Sequence, residues 1–145
     1  MADVFSEKKR SWIMSRVKGK DTSPERAVRS LVHDLGYRFR LHRKDLPGCP
    51  DIVLPRHRKI VFVHGCFWHG HKGCARSARP TSNTRFWNAK IDSNVQRDRR
   101  NIRALRRRGW SVLVVWTCEL RDPEKLERRL RRFLERPNVH AEATP

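Results

Sequence analysis

The sequence predicts a single α/β domain in which helices flank a mixed central sheet. Short runs at 52–54, 60–63 and 110–116 are rich in β-branched and aliphatic residues, as buried strands are. Segments with apolar residues at helical spacing stand before, between and after these runs. With 145 residues, the chain is long enough to bury one substantial core. Strands flanked by helices in this order indicate one mixed domain.

The first helix has clear start and stop signals. Ser23 can cap free N–H groups, Pro24 suits the first helical position, and the helix dipole favours a carboxylate at Glu25. Gly36 is a natural end for this helix. These signals alone require no function of Glu25, because its charge suits the start of any helix.

A strand and a hairpin follow the first helix. Residues 37–41 alternate between apolar and basic side chains, as in a half-buried strand. The runs at 51–54 and 60–63 flank a basic turn and predict a hairpin. Antiparallel pairing places the start of one strand beside the end of the other. Asp51 and His64 are therefore expected at the same end of the hairpin.

The second half of the chain predicts a long helix, a strand and a last helix. The apolar face of the long helix consists of Trp87, Ile91, Val95, Ile102 and Leu105. Gly109 ends this helix, and 110–116 is a buried-type strand. The last helix begins at Asp122 and Pro123.

The net charge indicates the kind of partner. The chain has 34 Lys and Arg against 15 Asp and Glu, a formal net charge of +19. Phosphate is the favoured partner, because Lys and Arg gain affinity by releasing condensed counterions. An anionic membrane is the alternative, but no segment approaches the roughly 20 apolar residues of a spanning helix, and no signal peptide follows Met1. We expect a nucleic acid and no membrane.

The N-terminal segment is basic and amphipathic. Met14 lies between Ile13 and Val17 at helical spacing, with Lys and Arg around them. These apolar residues could equally dock the segment on the core. We divide the chain into a basic DNA-binding arm at 1–20, a main domain at 21–136 and a disordered tail at 137–145.

Cysteines and a histidine form a metal-ligand pattern. Four cysteines without a secretory signal indicate a reducing compartment, where metal ligation is commoner than disulfides. Cys66, His71 and Cys74 lie within nine residues, and Cys118 follows a strand expected beside the hairpin. Three cysteines and one histidine are an accepted structural zinc set, which leaves no open position for catalysis. Buried cysteines with a surface histidine are the alternative.

Asp51, His64 and His69 are the remaining polar groups at that end of the hairpin. Phosphodiester cleavage needs a cation that neutralises the phosphate and an activated water. Asp51, a backbone carbonyl and waters would suit Mg²⁺, and a histidine can accept a proton from water near neutral pH. Each histidine alone could be an ordinary surface residue, but the three groups together predict a metal-assisted nuclease site.

Two aromatic residues lie inside the metal-ligand pattern. Phe67 and Trp68 are next to Cys66, in a strongly basic chain. Such side chains can insert between base steps as wedges. The alternative is that both rings belong to the core, and Trp87 fits the apolar face of its helix as well.

Several motifs occur together in the chain. They are 10–14 (RSWIM), 47–51 (PGCPD), 61–69 (VFVHGCFWH), 85–87 (RFW), 94–100 (NVQRDRR) and 105–118 (LRRRGWSVLVVWTC). From Arg10 to Phe133 the chain resembles the very-short-patch-repair mismatch endonucleases. The resemblance implies a zinc-containing restriction-endonuclease-like fold, in which 62–64 (FVH) stands where relatives of that fold carry Glu-x-Lys.

The resemblance also implies an activity. It indicates a bacterial, cytoplasmic enzyme that acts on the nucleoid as a monomer and nicks duplex DNA 5′ to the thymine of a T:G mismatch. Such mismatches arise when 5-methylcytosine deaminates. In this resemblance Asp51 and the carbonyl of Val63 bind Mg²⁺, and His69 is the general base. His64 contacts the phosphate, and Glu25 holds water of the metal shell.

The other implied roles concern zinc and DNA. The zinc ligands of the resemblance are Cys66, His71, Cys74 and Cys118. Phe67, Trp68 and Trp87 intercalate beside the mismatch, and Met14 reaches the opposite groove. Departures from the family pattern are Cys49 in place of arginine, Gly70 in place of histidine, Val63 in place of threonine, and a 71–74 interval that is one residue longer.

Two other functions are compatible with the sequence. One is a non-catalytic, zinc-stabilised DNA-binding protein, and the other is a related nuclease of different specificity. A protein that only binds DNA has no need of Asp51 and His69 beside the zinc loop. An enzyme is therefore the leading interpretation.

Overall fold

The computed structural model describes residues 24–138 and confirms the predicted α/β class. Its helices and strands are α1 (Pro24–Asp34), β1 (Arg40–Leu41), β2 (Ile52–Leu54), β3 (Lys59–His64), α2 (Thr84–Arg107), β4 (Ser111–Trp116) and α3 (Pro123–Glu135). The predictions for the arm, for Met14 and for the cap at Ser23 lie outside the described residues, as does the tail beyond Asn138. No helix within 24–138 is long and apolar enough to cross a membrane.

The four strands form one mixed sheet in the order β1-β2-β3-β4. β2 pairs with β1 and β3 in the antiparallel sense, and β3 pairs with β4 in the parallel sense. The expected hairpin is confirmed, with Ile52 opposite Val61 and Leu54 opposite Lys59. Parallel neighbours need a long crossover, which here includes α2. β4 consequently ends beside the end of β3, where His64 lies opposite Trp116.

Apolar side chains are buried on both faces of the sheet. Ile52 and Val61 pack in one cluster with the buried stripes of α1 and α3. Val53 and Ile60 pack in a second cluster with Leu105 of α2. Successive strand residues point to opposite faces, so neighbouring residues of β2 enter different clusters. α2 covers one face of the sheet, and α1 and α3 cover the other.

The prediction of a strand at 37–41 is wrong in length, although its alternating burial is found at Tyr37 and Phe39, which pack partly buried against the core. Only Arg40 and Leu41 pair with β2, and both are exposed. The Tyr37 N–H donates to the Val32 carbonyl at the end of α1, so this part of the segment continues the exit from the helix. Because β2 has only three residues, β1, the edge strand that pairs with it, is also short.

Candidate active site

Asp51 immediately precedes β2, at the end of the hairpin where β3 finishes. Its Oδ2 accepts a hydrogen bond from the Val63 N–H at 2.7 Å. Asp51, His64 and His69 line a cleft of about 350 Å³. The structure therefore brings together the carboxylate and both histidines that the sequence singles out.

The turn that carries Asp51 is packed tightly against α2. Gly48 has a φ of +79°, and a Cβ added there would lie 3.1 Å from the Asn101 side chain and 3.2 Å from the Phe62 ring. Cys49 follows with a φ of +46° and is exposed at the edge of the cleft. Glycine at position 48 allows this close approach, which fixes Asp51 relative to α2.

The surroundings of Asp51 disfavour an isolated negative charge. Burial raises the pKa of the Asp51 carboxyl above its ordinary value, the Val63 N–H opposes the shift, and the nearby Glu25 adds to it. A bound cation would favour the ionised carboxylate. The position therefore suits a carboxylate whose charge is balanced by a ligand.

His64 and His69 stack with their ring centroids 3.9 Å apart. His69 Nδ1 lies 2.6 Å from Asp98 Oδ2. A carboxylate at Nδ1 holds the ring proton there, which leaves Nε2 able to accept a proton. Burial, with His69 alongside, lowers the pKa of His64 to about 4. His64 is therefore neutral near pH 7 and would meet a phosphate as a hydrogen-bond donor.

Asp98 is a site residue that sequence reasoning missed. It lies on α2 at the same spacing as the inward residues Ile91, Val95, Ile102 and Leu105. Its side chain consequently points towards the cleft and is partly buried. A carboxylate at one position of an otherwise apolar stripe is the signal that could have identified it.

A second group of donors lies on the other side of Asp51. One ligand atom each from Glu25, His42 and Asp51 lies within 4.8 Å of the other two. His42 Nε2 contacts Glu25 Oε1, and Arg29 donates to the same oxygen at 2.5 Å. The structure thus places Glu25 beside Asp51. Sequence reasoning missed His42, whose only signal is its place directly after β1.

The predicted zinc ligands meet in one cluster. One ligand atom each of Cys66, His71, Cys74 and Cys118 lies within 4.8 Å of the others. Thiolates bound to zinc at about 2.3 Å lie roughly 3.8 Å apart in a tetrahedron, so the cluster fits the ion. The short helix after β4 (Thr117–Arg121) carries Cys118 to the loop, as the sequence predicted. The cluster therefore suggests a structural zinc site.

The cluster also has the electrostatics of a cation site. Burial and the neighbouring Cys66 raise the pKa of Cys118 to about 12. Burial also disfavours ionisation of Cys66, but hydrogen bonds from Thr117 and Cys118 outweigh it and lower the pKa of Cys66. Several thiolates this close repel one another. A divalent cation among them removes that repulsion.

Four aromatic rings form a patch beside the cleft, and we call Phe67, Trp68, Phe86 and Trp87 the aromatic patch. Trp68 is 50% exposed and Phe86 is 61% exposed, whereas Phe67 and Trp87 are half-buried. Phe67 touches both tryptophans, with centroids 5.1 and 5.4 Å away. Asn94 of α2 holds the backbone, donating to the Trp68 carbonyl at 2.9 Å. Sequence reasoning missed Phe86, which lies off the apolar stripe of α2.

Comparison with known proteins identifies the family. The family model for the DNA mismatch endonuclease Vsr matches residues 2–76. The type II nicking enzyme V.XorIIP of Xanthomonas oryzae pv. oryzae is 55% identical over 135 residues, which are 93% of this chain and 98% of that protein. The DNA mismatch endonuclease Vsr of Escherichia coli is 45% identical over 126 residues, 87% of this chain and 80% of that protein.

The chain belongs to the DNA mismatch endonuclease Vsr family. The type II nicking enzyme V.NmeAIP of Neisseria meningitidis is also similar, at 42% identity over 92% of this chain and 95% of that protein. The resemblance seen in the motifs is confirmed. The Vsr family is a bacterial DNA enzyme family, so DNA is the substrate class of this chain.

Two of the departures from the motif pattern, Gly70 and the 71–74 interval, lie in the loop that follows β3. At Gly70, where the motifs led us to expect histidine, φ is +60° and an added Cβ would lie 2.8 Å from Val95 Cγ2 of α2. The loop passes too close to α2 for a side chain. Gly73, with a φ of +71°, has no atom within 4 Å of an added Cβ. The interval from His71 to Cys74 therefore contains a left-handed turn in open space.

Proposed function

We propose that this Vsr-family nicking endonuclease cuts one strand of duplex DNA 5′ to the thymine of a T:G mismatch. The reaction would depend on Mg²⁺ and would start very short patch repair after deamination of 5-methylcytosine. The enzyme would act as a monomer on the bacterial nucleoid, with the N-terminal arm and Met14 reaching the opposite groove.

One observation carries this proposal, namely that the cleft and the aromatic patch are joined by a single short loop. His69 lines the cleft, and Phe67 and Trp68 precede it by two residues and one residue in the aromatic patch. A wedge between base steps kinks the duplex and moves the adjacent backbone. A mismatch held by the patch would consequently present a neighbouring phosphodiester to the cleft.

The cleft residues can be given chemical roles from their contacts. Asp51 and the carbonyl of Val63 would hold the cation, because a strand residue's N–H and C=O face the same side and the Val63 N–H already faces Asp51. Mg²⁺ bound there would neutralise phosphate charge and help to ionise a water. His69, oriented by Asp98, would accept the proton of the attacking water at Nε2.

Two further residues would complete the site. His64 is neutral and stacked on His69, so it would donate a hydrogen bond to a phosphate oxygen. Glu25 lies beside Asp51 and would hold water of the metal shell. The zinc cluster would fix the loop that carries Phe67 and Trp68, and it has no direct part in the reaction.

Selection of T:G would follow from the cost of unstacking. A wobble pair is easier to unstack than a Watson–Crick pair, so the wedges gain most at a mismatch. Two alternatives are a protein that binds DNA without cutting it and a nicking enzyme of different specificity. The second has support from V.XorIIP, a type II nicking enzyme that is more similar to this chain than is Vsr of Escherichia coli.

Nicking of matched duplexes tests the proposal directly. Otherwise identical T:G and C:G duplexes are incubated with the protein and Mg²⁺, and the same reactions are repeated with EDTA. We expect a single nick 5′ to the mismatched thymine that requires Mg²⁺. Equal cutting of the C:G duplex would support a different specificity, and binding without any cut would support the non-catalytic alternative.

A further inference from the structure

His42 lies beside Glu25 and Asp51 and has no role in the reaction described above. Its Nε2 contacts Glu25 Oε1, and this nitrogen lies within 4.8 Å of a carboxylate oxygen of Asp51 as well. A histidine that only paired with Glu25 would not have to face both carboxylates. The arrangement instead brings one imidazole nitrogen close to two carboxylates.

The backbone conformation of His42 is unusual, and its N–H faces the residue that carries the carboxylate. His42 has a φ of +47°, in the left-handed region that non-glycine residues seldom adopt. The His42 N–H also faces the Asp51 carbonyl, at 3.5 Å, so the residue is tied to the turn that carries the carboxylate.

We propose that His42 is a direct nitrogen ligand of the divalent cation held by Asp51, with Glu25 beside it, and that it gives this protein a preference for Mn²⁺ over Mg²⁺. This inference rests on the proposed metal-dependent function and adds to it the choice of metal. Donors bound to one such ion at about 2.1 Å lie roughly 3.0 to 4.2 Å apart. One ligand atom of each residue lies within 4.8 Å of the other two, and His42 Nε2 contacts Glu25 Oε1 more closely than that range, so binding of an ion would separate these two atoms. The side chain of His42 is 47% exposed, which leaves it open to a hydrated cation.

The preference follows from the chemistry of the donors. Mg²⁺ keeps waters and takes oxygen ligands, whereas imidazole nitrogen suits transition metals. Mn²⁺ accepts the carboxylates equally well and gains the nitrogen in addition. Soft thiolates occupy the separate zinc cluster, so Mn²⁺ has little reason to displace zinc there.

Pulsed electron paramagnetic resonance of Mn²⁺ bound to the zinc-loaded, DNA-free protein tests this ligand. Wild type should show modulation from a directly bound imidazole ¹⁴N. His42→Asn should lose that modulation while retaining the backbone, because asparagine tolerates positive φ. His69→Gln is the matched control and should retain it. In titrations, His42→Asn should bind Mn²⁺ at least about tenfold more weakly and Mg²⁺ within about threefold of wild type.

Retention of the ¹⁴N modulation and of Mn²⁺ affinity in His42→Asn would overturn the inference, as would loss of the modulation in His69→Gln alone. Absence of Mn²⁺ binding in wild type would overturn it too. The same wild-type preparation is also tested for nicking of a T:G duplex with Mg²⁺. If only the assignment of His42 is wrong, this nicking remains. If the proposed function is wrong, the nicking is absent.

Discussion

The loop that follows β3 supplies residues to both the zinc cluster and the cleft, yet the two are built differently. The zinc cluster is a closed set of soft donors, three of which lie within nine residues of the chain. The cleft is an open set of oxygen and nitrogen donors that come from the residue before β2, the end of β3, the loop after it and α2. Four protein ligands leave no room for a substrate, whereas an incomplete set does. Adjacent metal-binding groups can thus divide structure and chemistry between them.

The largest effect should come from Asp51. Asp51→Ala is expected to abolish nicking of a T:G duplex and to leave duplex affinity within about tenfold, because the carboxylate would hold a cation and not the scaffold. Nicking and filter binding are measured on the same preparation, and circular dichroism confirms the fold. Mg²⁺-dependent nicking by a folded Asp51→Ala protein would contradict the assignment of the cleft.

His69 and Asp98 should act as one unit. His69→Ala is expected to reduce the single-turnover nicking rate by about 10²-fold or more. Asp98→Asn should reduce it by about 10- to 100-fold, since the amide no longer fixes the proton at Nδ1. The double variant should be no slower than His69→Ala. Full additivity would show that Asp98 acts independently of His69.

Substitution of a zinc-cluster residue should lower the stability of the fold. Cys118→Ser is expected to lose zinc and about 3 kcal/mol or more of unfolding free energy, because binding energy at such a site is folding energy. Cys49→Ser is the matched control, as Cys49 is exposed and outside the cluster. Elemental analysis and urea unfolding measure both. Equal zinc loss in the Cys49 variant would place that residue among the ligands.

The smallest effect on stability should come from the contact between α2 and the loop that carries Cys66, His71 and Cys74. Gly70→Ala combines a positive φ with a clash against Val95 and should cost about 2–3 kcal/mol. Gly73→Ala has the same kind of backbone but open space, so about 1–2 kcal/mol is expected. Urea unfolding compares the two. A larger loss of unfolding free energy in Gly73→Ala would show that backbone strain, and not the close approach to α2, determines the cost of a side chain in this loop.

Local patterns in the sequence predicted one of these regions better than the other. The members of the zinc cluster could be predicted because three are close in the chain and Cys118 follows β4, the strand beside the hairpin. Asp51 and His64 could be placed together because hairpin pairing is a short-range rule. The contact of Asp98 could not be predicted in this way. Asp98 reaches His69 only because α2 packs across the sheet with the face that carries Asp98 towards His69.

His42 and β1 show the same limit. His42 contacts Glu25 because β1 ends after two paired residues and the backbone then turns at His42 with a positive φ. The predicted strand at 37–41 was too long because alternation in a sequence does not reveal how many residues the neighbouring strand offers. Contacts between distant segments therefore decide the parts of the site that short-range patterns leave open.

Comparison of nicking on T:G and T:A duplexes of otherwise identical sequence tests the central claim, that the aromatic patch selects the mismatch and the cleft cuts beside it. Wild type should nick the T:G duplex and spare the T:A duplex. A variant with Phe67→Ala and Trp68→Ala should lose this preference while it keeps zinc and its fold. Wild type without a preference, or a double variant that still prefers T:G, would contradict the account.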